Sequence, residues 1–190
     1  MKPFVLASIC LIGLSSVTLA RANDFEVALS QETAQFTFRS DSSLIGWGGS
    51  DLALGLFYND DSDFVAQASI VQMRQASEEA PLTFGVGVKA YLGKLDDPDE
   101  DVLAFAIGGE VRYTIPGTMP MALYARGFYA PKITSFSGSE TVTDYSFGFQ
   151  IEALPQTTAF VGVRHFEVEL DDGDYNLDDD NIHVGVRLTF

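Results

Sequence analysis

Beyond the first two dozen residues, apolar side chains recur at every second position along segments of about ten residues, the period of a β-strand with two unlike faces. Leu103, Phe105, Ile107, Gly109, Val111, Tyr113 and Ile115 share one face, and Ala104, Ala106, Gly108, Glu110, Arg112 and Thr114 the other. Leu82, Phe84, Val86, Val88, Ala90 and Leu92 alternate in the same way with Thr83, Gly85, Gly87, Lys89, Tyr91 and Gly93. Tyr145, Phe147, Phe149, Ile151 and Ala153 alternate with Ser146, Gly148, Gln150 and Glu152. At the end of the chain Ile182, Val184, Val186, Leu188 and Phe190 alternate with His183, Gly185, Arg187 and Thr189. No sustained 3.6-residue period competes with this pattern.

Alternation alone leaves open which face is inside, since a soluble lipocalin-like barrel alternates too. The second face carries Gly, Ala and Ser with isolated charges, and lacks the long polar side chains of a water-facing exterior. Small residues and a few charges suit the lumen of a narrow barrel, with the continuous apolar face against lipid.

The connectors agree. Short links at Gln75–Pro81, Ile115–Met119 and Leu154–Thr157 alternate with long or acidic ones at Asn59–Asp63, Lys94–Asp101, Pro131–Thr141 and Asp171–Asp180. An up-and-down membrane barrel has short periplasmic turns and longer extracellular loops in this order. The pattern predicts eight antiparallel strands, at about 50–59, 63–75, 81–94, 102–116, 119–131, 142–154, 157–170 and 181–190. Residues 24–40 form a further hairpin, whose arms are shorter than the roughly 9–11 residues of a spanning strand. Eight strands are therefore favoured, or ten if that hairpin joins the barrel. Either count is even, which keeps both termini periplasmic.

The first 22 residues read as an export signal, with Lys2 as the positive start, an apolar core from Phe4 to Leu14, and Ala20-Arg21-Ala22 before the cut. That core is too short to span a bilayer as a helix. Cys10 lies inside it, so the mature part, 23–190, has no cysteine and no disulfide or thiol chemistry. It carries nine basic against 27 acidic side chains, which argues against a nucleic-acid partner. The acid is concentrated in the long links, as on exposed loops.

The C-terminus ends in Phe190 with Val184, Val186 and Leu188 at alternate positions before it. This is the form in which outer-membrane proteins meet their assembly machinery. Phe128-Tyr129-Ala130-Pro131 ends one strand, Tyr145 opens the next, Gly162-Val163-Arg164 precedes the acidic segment, and His183-Val184-Gly185-Val186-Arg187-Leu188-Thr189-Phe190 closes the chain. In that order, over about Phe25 to Phe190, the chain resembles the YfaZ family of bacterial outer-membrane proteins. The resemblance implies an outer-membrane barrel and carries over no functional residues.

Candidate chemistry is sparse. His165 and His183 would be needed by a lipid A-modifying enzyme, but no motif marks a nucleophilic serine and both read as structural. The lumen face gathers Lys89, Glu110, Arg112, Arg126, Glu152, Arg164 and Arg187, either a salt-bridged plug or the lining of a narrow anion-favouring pore. Alternation with Val161 and Val163 puts Arg164 in the lumen, while Phe166, Val168 and Leu170 imply a change of register, such as a bulge. The Asp171–Asp180 run lacks EF-hand spacing, and weak calcium or magnesium bridging to lipopolysaccharide phosphates is its candidate role. Tyr58, Tyr113, Tyr129, Tyr145 and Phe190 fit interfacial girdles, and Trp47 a periplasmic turn. The expected protein is thus a monomeric, non-enzymatic barrel without a cofactor. Its expected partners are outer-membrane lipids, lipopolysaccharide and the assembly machinery, in a structural or surface-interaction role.

Overall fold

The computed structural model describes residues 23–41, 49–77, 80–96, 100–170 and 173–190. The export signal and Trp47 lie outside these residues. Eleven strands follow in order: β1 (Asp24–Leu29), β2 (Thr33–Asp41), β3 (Ser50–Asn59), β4 (Phe64–Gln75), β5 (Leu82–Lys94), β6 (Asp101–Ile115), β7 (Met121–Ala130), β8 (Ser135–Phe136), β9 (Ser139–Leu154), β10 (Thr157–Leu170) and β11 (Gly173–Thr189). All pairings are antiparallel. Each strand from β1 to β7 pairs with its sequence neighbour, β7 pairs with β9, β9 with β10, β10 with β11, and β11 returns to β1. Ten strands therefore close a barrel. The short β8 lies against the start of β6, at Leu103 and Ala104.

The preference for eight strands is overturned, and the ten-strand alternative holds. The β1–β2 hairpin is the seam: β1 meets residues 184–189 of β11 on one side and β2 on the other, and β2 then meets β3. Closure removes the unpaired edges that β3 and β11 would otherwise present to lipid, where each unpaired backbone group costs several kcal/mol. A six-residue β1 suffices because it has to reach only as far as Val184 of its neighbour.

Asn23 and Phe190 exchange backbone hydrogen bonds of 2.9 Å, so the first described residue of the barrel and its last sit on one rim, the terminal rim. The β4–β5, β6–β7 and β9–β10 connections leave from this terminal rim. The β1–β2, β3–β4, β5–β6 and β7–β9 connections leave from the opposite, far rim. The tight turn at Pro155–Gln156 places Gln156 at φ 65°, the positive φ that follows proline in a type II turn.

The outer face is apolar across its middle band and turns polar toward the strand ends, at Gln72 and Arg74 on β4 and at His165, Glu167 and Glu169 on β10. Leu54, Val86, Phe105, Ile107, Leu123, Phe147, Ile182 and Val184 each expose half or more of their surface. Inside, the two halves differ. Near the terminal rim the bore is charged. Near the far rim Phe57, Val65, Tyr91, Val102, Val142, Phe166 and Val168 are fully buried and form one apolar cluster. Phe57 and Phe166 meet edge to face at 5.3 Å, and Tyr91 lies 5.5 Å from Phe166.

This cluster corrects the expected change of register on β10. Arg164, Phe166, Val168 and Leu170 all point inward in unbroken alternation. What changes along the strand is the polarity of the interior. The irregularity lies on the partner: β11 accommodates extra residues opposite Arg164–Glu167, and Asp180 takes φ 53° there. The acidic run expected as a loop from 171 to 180 is likewise mostly strand, since β11 begins at Gly173. Beyond β1 this extension pairs only with β10, and Leu177 tucks into the apolar cluster. The Tyr175 hydroxyl donates to Asp63 Oδ2 at 3.0 Å on the β3–β4 turn.

Candidate functional site: the charged bore

Alternation brings charged residues of opposite sign to the same level from facing strands. Glu26 and Arg187 are direct partners across the β1–β11 seam. Arg187 donates to Glu26 Oε2 from Nε at 2.9 Å and from Nη2 at 2.6 Å. Arg126 Nη1 lies 3.5 Å from Glu26 Oε1. Glu110 and Arg126 are direct partners across β6–β7. Glu110 accepts from Arg126 Nε and from Arg112 Nη2, each at 3.2 Å. Arg39 stands between the two glutamates, 3.9 Å from Glu26 and 3.8 Å from Glu110.

A second knot sits at the boundary with the apolar cluster. Asp144 Oδ2 accepts from Lys89 at 2.6 Å and from the Tyr91 hydroxyl at 2.9 Å. Arg164 grips both carboxylate oxygens, at 3.1 and 3.2 Å, and donates a further hydrogen bond to Gln35 Oε1. Its guanidinium also lies 4.8 Å from the Phe166 ring and 4.9 Å from Phe57. The apolar cluster thus ends on a cation that its own rings help to hold.

Between the two knots Tyr124 shares a hydrogen bond of 3.2 Å with His183 Nε2. Tyr124 lies across two glycines. A Cβ on Gly148 or Gly162 would come within 2.8 or 2.6 Å of its hydroxyl oxygen, so these two positions exclude any side chain. The remaining space is a cavity of about 80 Å³ among the charged side chains.

Of the residues expected in the lumen, Lys89, Glu110, Arg112, Arg126, Arg164 and Arg187 are there and joined in ion pairs. Glu152 is not. It is exposed near the terminal rim, at the end of β9, because the strand runs past the bore at that point. Three partners of the network went unnamed in the sequence: Glu26, Arg39 and Asp144. Each lies on the inner face by simple alternation with Phe25 and Val27, with Phe36 and Phe38, or with Tyr145. Val184, Val186, Leu188 and Phe190 are all on the outer face and exposed.

A protein-family model described as "YfaZ precursor" matches residues 1–190. The chain belongs to the YfaZ family. A closed barrel with an apolar band around its outer face is the one β-architecture that satisfies its backbone within lipid, and this YfaZ chain is an outer-membrane barrel. No curated protein matches its sequence. Among solved structures it is similar to the outer membrane channel DcaP of Acinetobacter baumannii, at 11% identity and a TM-score of 0.43, over 87% of this chain and 54% of that one. It is similar to a bacterial polysaccharide outer membrane secretin, at 14% identity and a TM-score of 0.47, over 83% and 55% of the two chains. It is also similar to the NanC porin, at 12% identity and a TM-score of 0.37, over 90% and 98%. The YfaZ chain spans about half the length of the first two.

Neither histidine of the YfaZ barrel is joined to a serine among the described hydrogen bonds. His183 is held by Tyr124 and stands edge-on to Phe160 at 5.9 Å. His165 stacks on Tyr145 at 4.9 Å, between Glu167 at 3.6 Å and Asp180 at 3.5 Å. No group of three His, Cys, Asp or Glu among the described residues is arranged to hold a metal ion.

Proposed function

We propose that this chain is a non-conducting, non-enzymatic outer-membrane barrel with a structural and surface-interaction role. The observation that carries the reading is the apolar cluster filling the far half of the bore. Phe57, Tyr91 and Phe166 have no solvent-accessible surface, so no water-filled passage runs beside them. An ion crossing that layer would shed its hydration among aromatic rings, at a cost of many kcal/mol. The charged half below it then acts as a stiffening brace. Its ion pairs link β1, β2, β6, β7 and β11, including the seam at which the barrel closes.

The termini face the periplasm in this reading, because the β10–β11 extension and most of the acidic connector residues share the other rim. The acidic far rim is then the surface presented outside the cell. Protease added to intact cells tests the orientation: cleavage confined to the β10–β11 hairpin and the 95–100 connector is expected. Cleavage at an epitope placed after Phe190 overturns it.

A narrow anion-favouring pore is the second reading, favoured by the four arginines, Arg39, Arg112, Arg126 and Arg187, on the inner face of the terminal half of the bore. Single-channel recording separates the two. The sealed barrel gives no steps, and the pore gives steps whose reversal potential follows the anion gradient.

A further inference from the structure

The far part of β11 has a backbone partner on one side only. β10 pairs with it as far as Gly173, while β1 reaches no farther than Val184. Among the described residues, no backbone hydrogen bond joins residues 173–180 to any segment but β10. The β1–β2 hairpin touches only the foot of this stretch, where Thr33 donates to Asp178 and Asn181 donates to Glu32, each at 3.4 Å. Alternate N–H and C=O groups along the stretch therefore point away from the sheet, ready to pair with a further strand.

The two faces beside this edge differ. Tyr175 and Leu177 turn inward over the bore, where Leu177 joins the apolar cluster and Tyr175 packs against it. The outward face is acidic. Asp174 and Asn176 are exposed there, opposite Glu169 and Glu167 of β10, and Asp180 lies 3.5 Å from His165 Nδ1. Residues 167–180 hold eight carboxylates and no lysine or arginine, so a segment laid along the edge meets a field of one sign. That field selects the occupant. A second copy pairing edge to edge would set its own acidic face against this one, and like charges directly opposite are destabilising.

We propose that the β11 edge, residues 173–180, docks an extended basic segment of another protein, added to the sheet as a further strand. Lysines or arginines at every second position of that segment lie beside Asp174 and Asp180 on the outward face. The residues between them are apolar and lie beside Tyr175 and Leu177. Backbone pairing supplies affinity, and the charges select the partner. The docking edge rests on the surface-interaction reading, since the far rim must face outward for a partner outside the cell to reach it.

The probe is a labelled peptide of alternating lysine and valine, long enough to run along residues 173–180. It is added to the full barrel refolded in zwitterionic lipid vesicles. Fluorescence anisotropy should show saturable binding, absent from empty vesicles and from a glutamate–valine peptide of the same length. Hydrogen exchange should slow at amides within 173–180 and stay unchanged on β5. The lysine–valine peptide N-methylated at every backbone nitrogen keeps its charge but cannot donate to the edge. It should bind at least about tenfold more weakly, for the loss of several backbone hydrogen bonds. Asp174→Lys with Asn176→Lys, at two exposed positions, should weaken the unmethylated peptide by at least about tenfold as well. If this variant shows no heat-dependent gel shift, the two peptides decide alone. Equal binding of the N-methylated peptide, protection elsewhere than 173–180, no binding by the wild-type barrel, or self-association of the barrel through this edge overturns the proposal. Intact cells separate this failure from that of the orientation. A peptide bound by the purified barrel but not by cells that carry it overturns the outward far rim and leaves the edge standing, whereas a purified barrel that binds nothing refutes the edge alone.

Discussion

Replacing Asp144 with alanine removes the one carboxylate that holds Lys89 and Arg164 at the top of the charged bore. Asp144 is 6% exposed and accepts from Lys89 at 2.6 Å, from the Tyr91 hydroxyl at 2.9 Å and from Arg164 at 3.1 and 3.2 Å. Neither cation has another carboxylate among its described ion pairs. Removing one partner of a buried pair costs about 3–5 kcal/mol, mostly because the opposite charge is left uncompensated. Two stranded cations put the expected loss at the upper end of that range. The assay is urea unfolding of the barrel refolded in lipid vesicles, read from the mobility of unboiled protein on a gel. Lys89→Met in the Asp144→Ala background removes one stranded charge and should recover part of the loss. The cycle of the two changes should give a coupling of about 0.5–3 kcal/mol. A loss below about 1 kcal/mol, the range of exposed ion pairs, would refute the claim that this part of the bore is closed to solvent.

Phe166→Ala should cost about 3–5 kcal/mol in the same assay, since the ring is fully buried against Phe57 and Tyr91; an effect under about 1 kcal/mol would mean that the cluster is loosely packed. Ile107→Arg should destabilise the barrel by up to about 2–4 kcal/mol, the cost of a midplane arginine, because this residue is 67% exposed on the outer face and an arginine there meets lipid; a neutral result would contradict that placement. Tyr175→Phe deletes the hydroxyl bonded to Asp63 and should loosen the β10–β11 hairpin by about 1 kcal/mol. Faster proteolysis within 173–181, at an unchanged unfolding midpoint, is the expected reading, and an unchanged cleavage rate counts against the latch.

The outward face of the barrel was legible in the sequence because lipid demands an uninterrupted apolar face at period two. Leu103 to Ile115 and Ile182 to Phe190 show it without exception. The interior was harder to read, because a bore has two solutions for filling its space. Near the terminal rim it uses charge, which the isolated Glu110, Arg126 and Arg187 announced. Near the far rim it uses Phe57, Tyr91 and Phe166, which on a period-two reading look like lapses in polarity. Phe166 and Val168 suggest a change of register for that reason, although their parity with Arg164 places them inside.

The sequence leaves the strand count between eight and ten for a related reason. A length rule for spanning strands excludes the six-residue β1, but closure depends on which edges need a partner, and that is a property of the whole sheet. Glu26 and Arg39 were overlooked with it, because the hairpin that carries them was set outside the barrel. The seam pair Glu26–Arg187 joins residues at opposite ends of the chain, and no local pattern announces it.

The central claim is that the apolar layer of Phe57, Tyr91 and Phe166 seals the bore. Single-channel recording in a planar bilayer tests it most directly, with folded insertion verified by the heat-dependent gel shift. The wild-type barrel should remain silent, while a variant with Tyr91→Ser and Phe166→Gly together, if it folds, should conduct in discrete steps. Reproducible steps from the wild-type barrel would contradict the sealed bore.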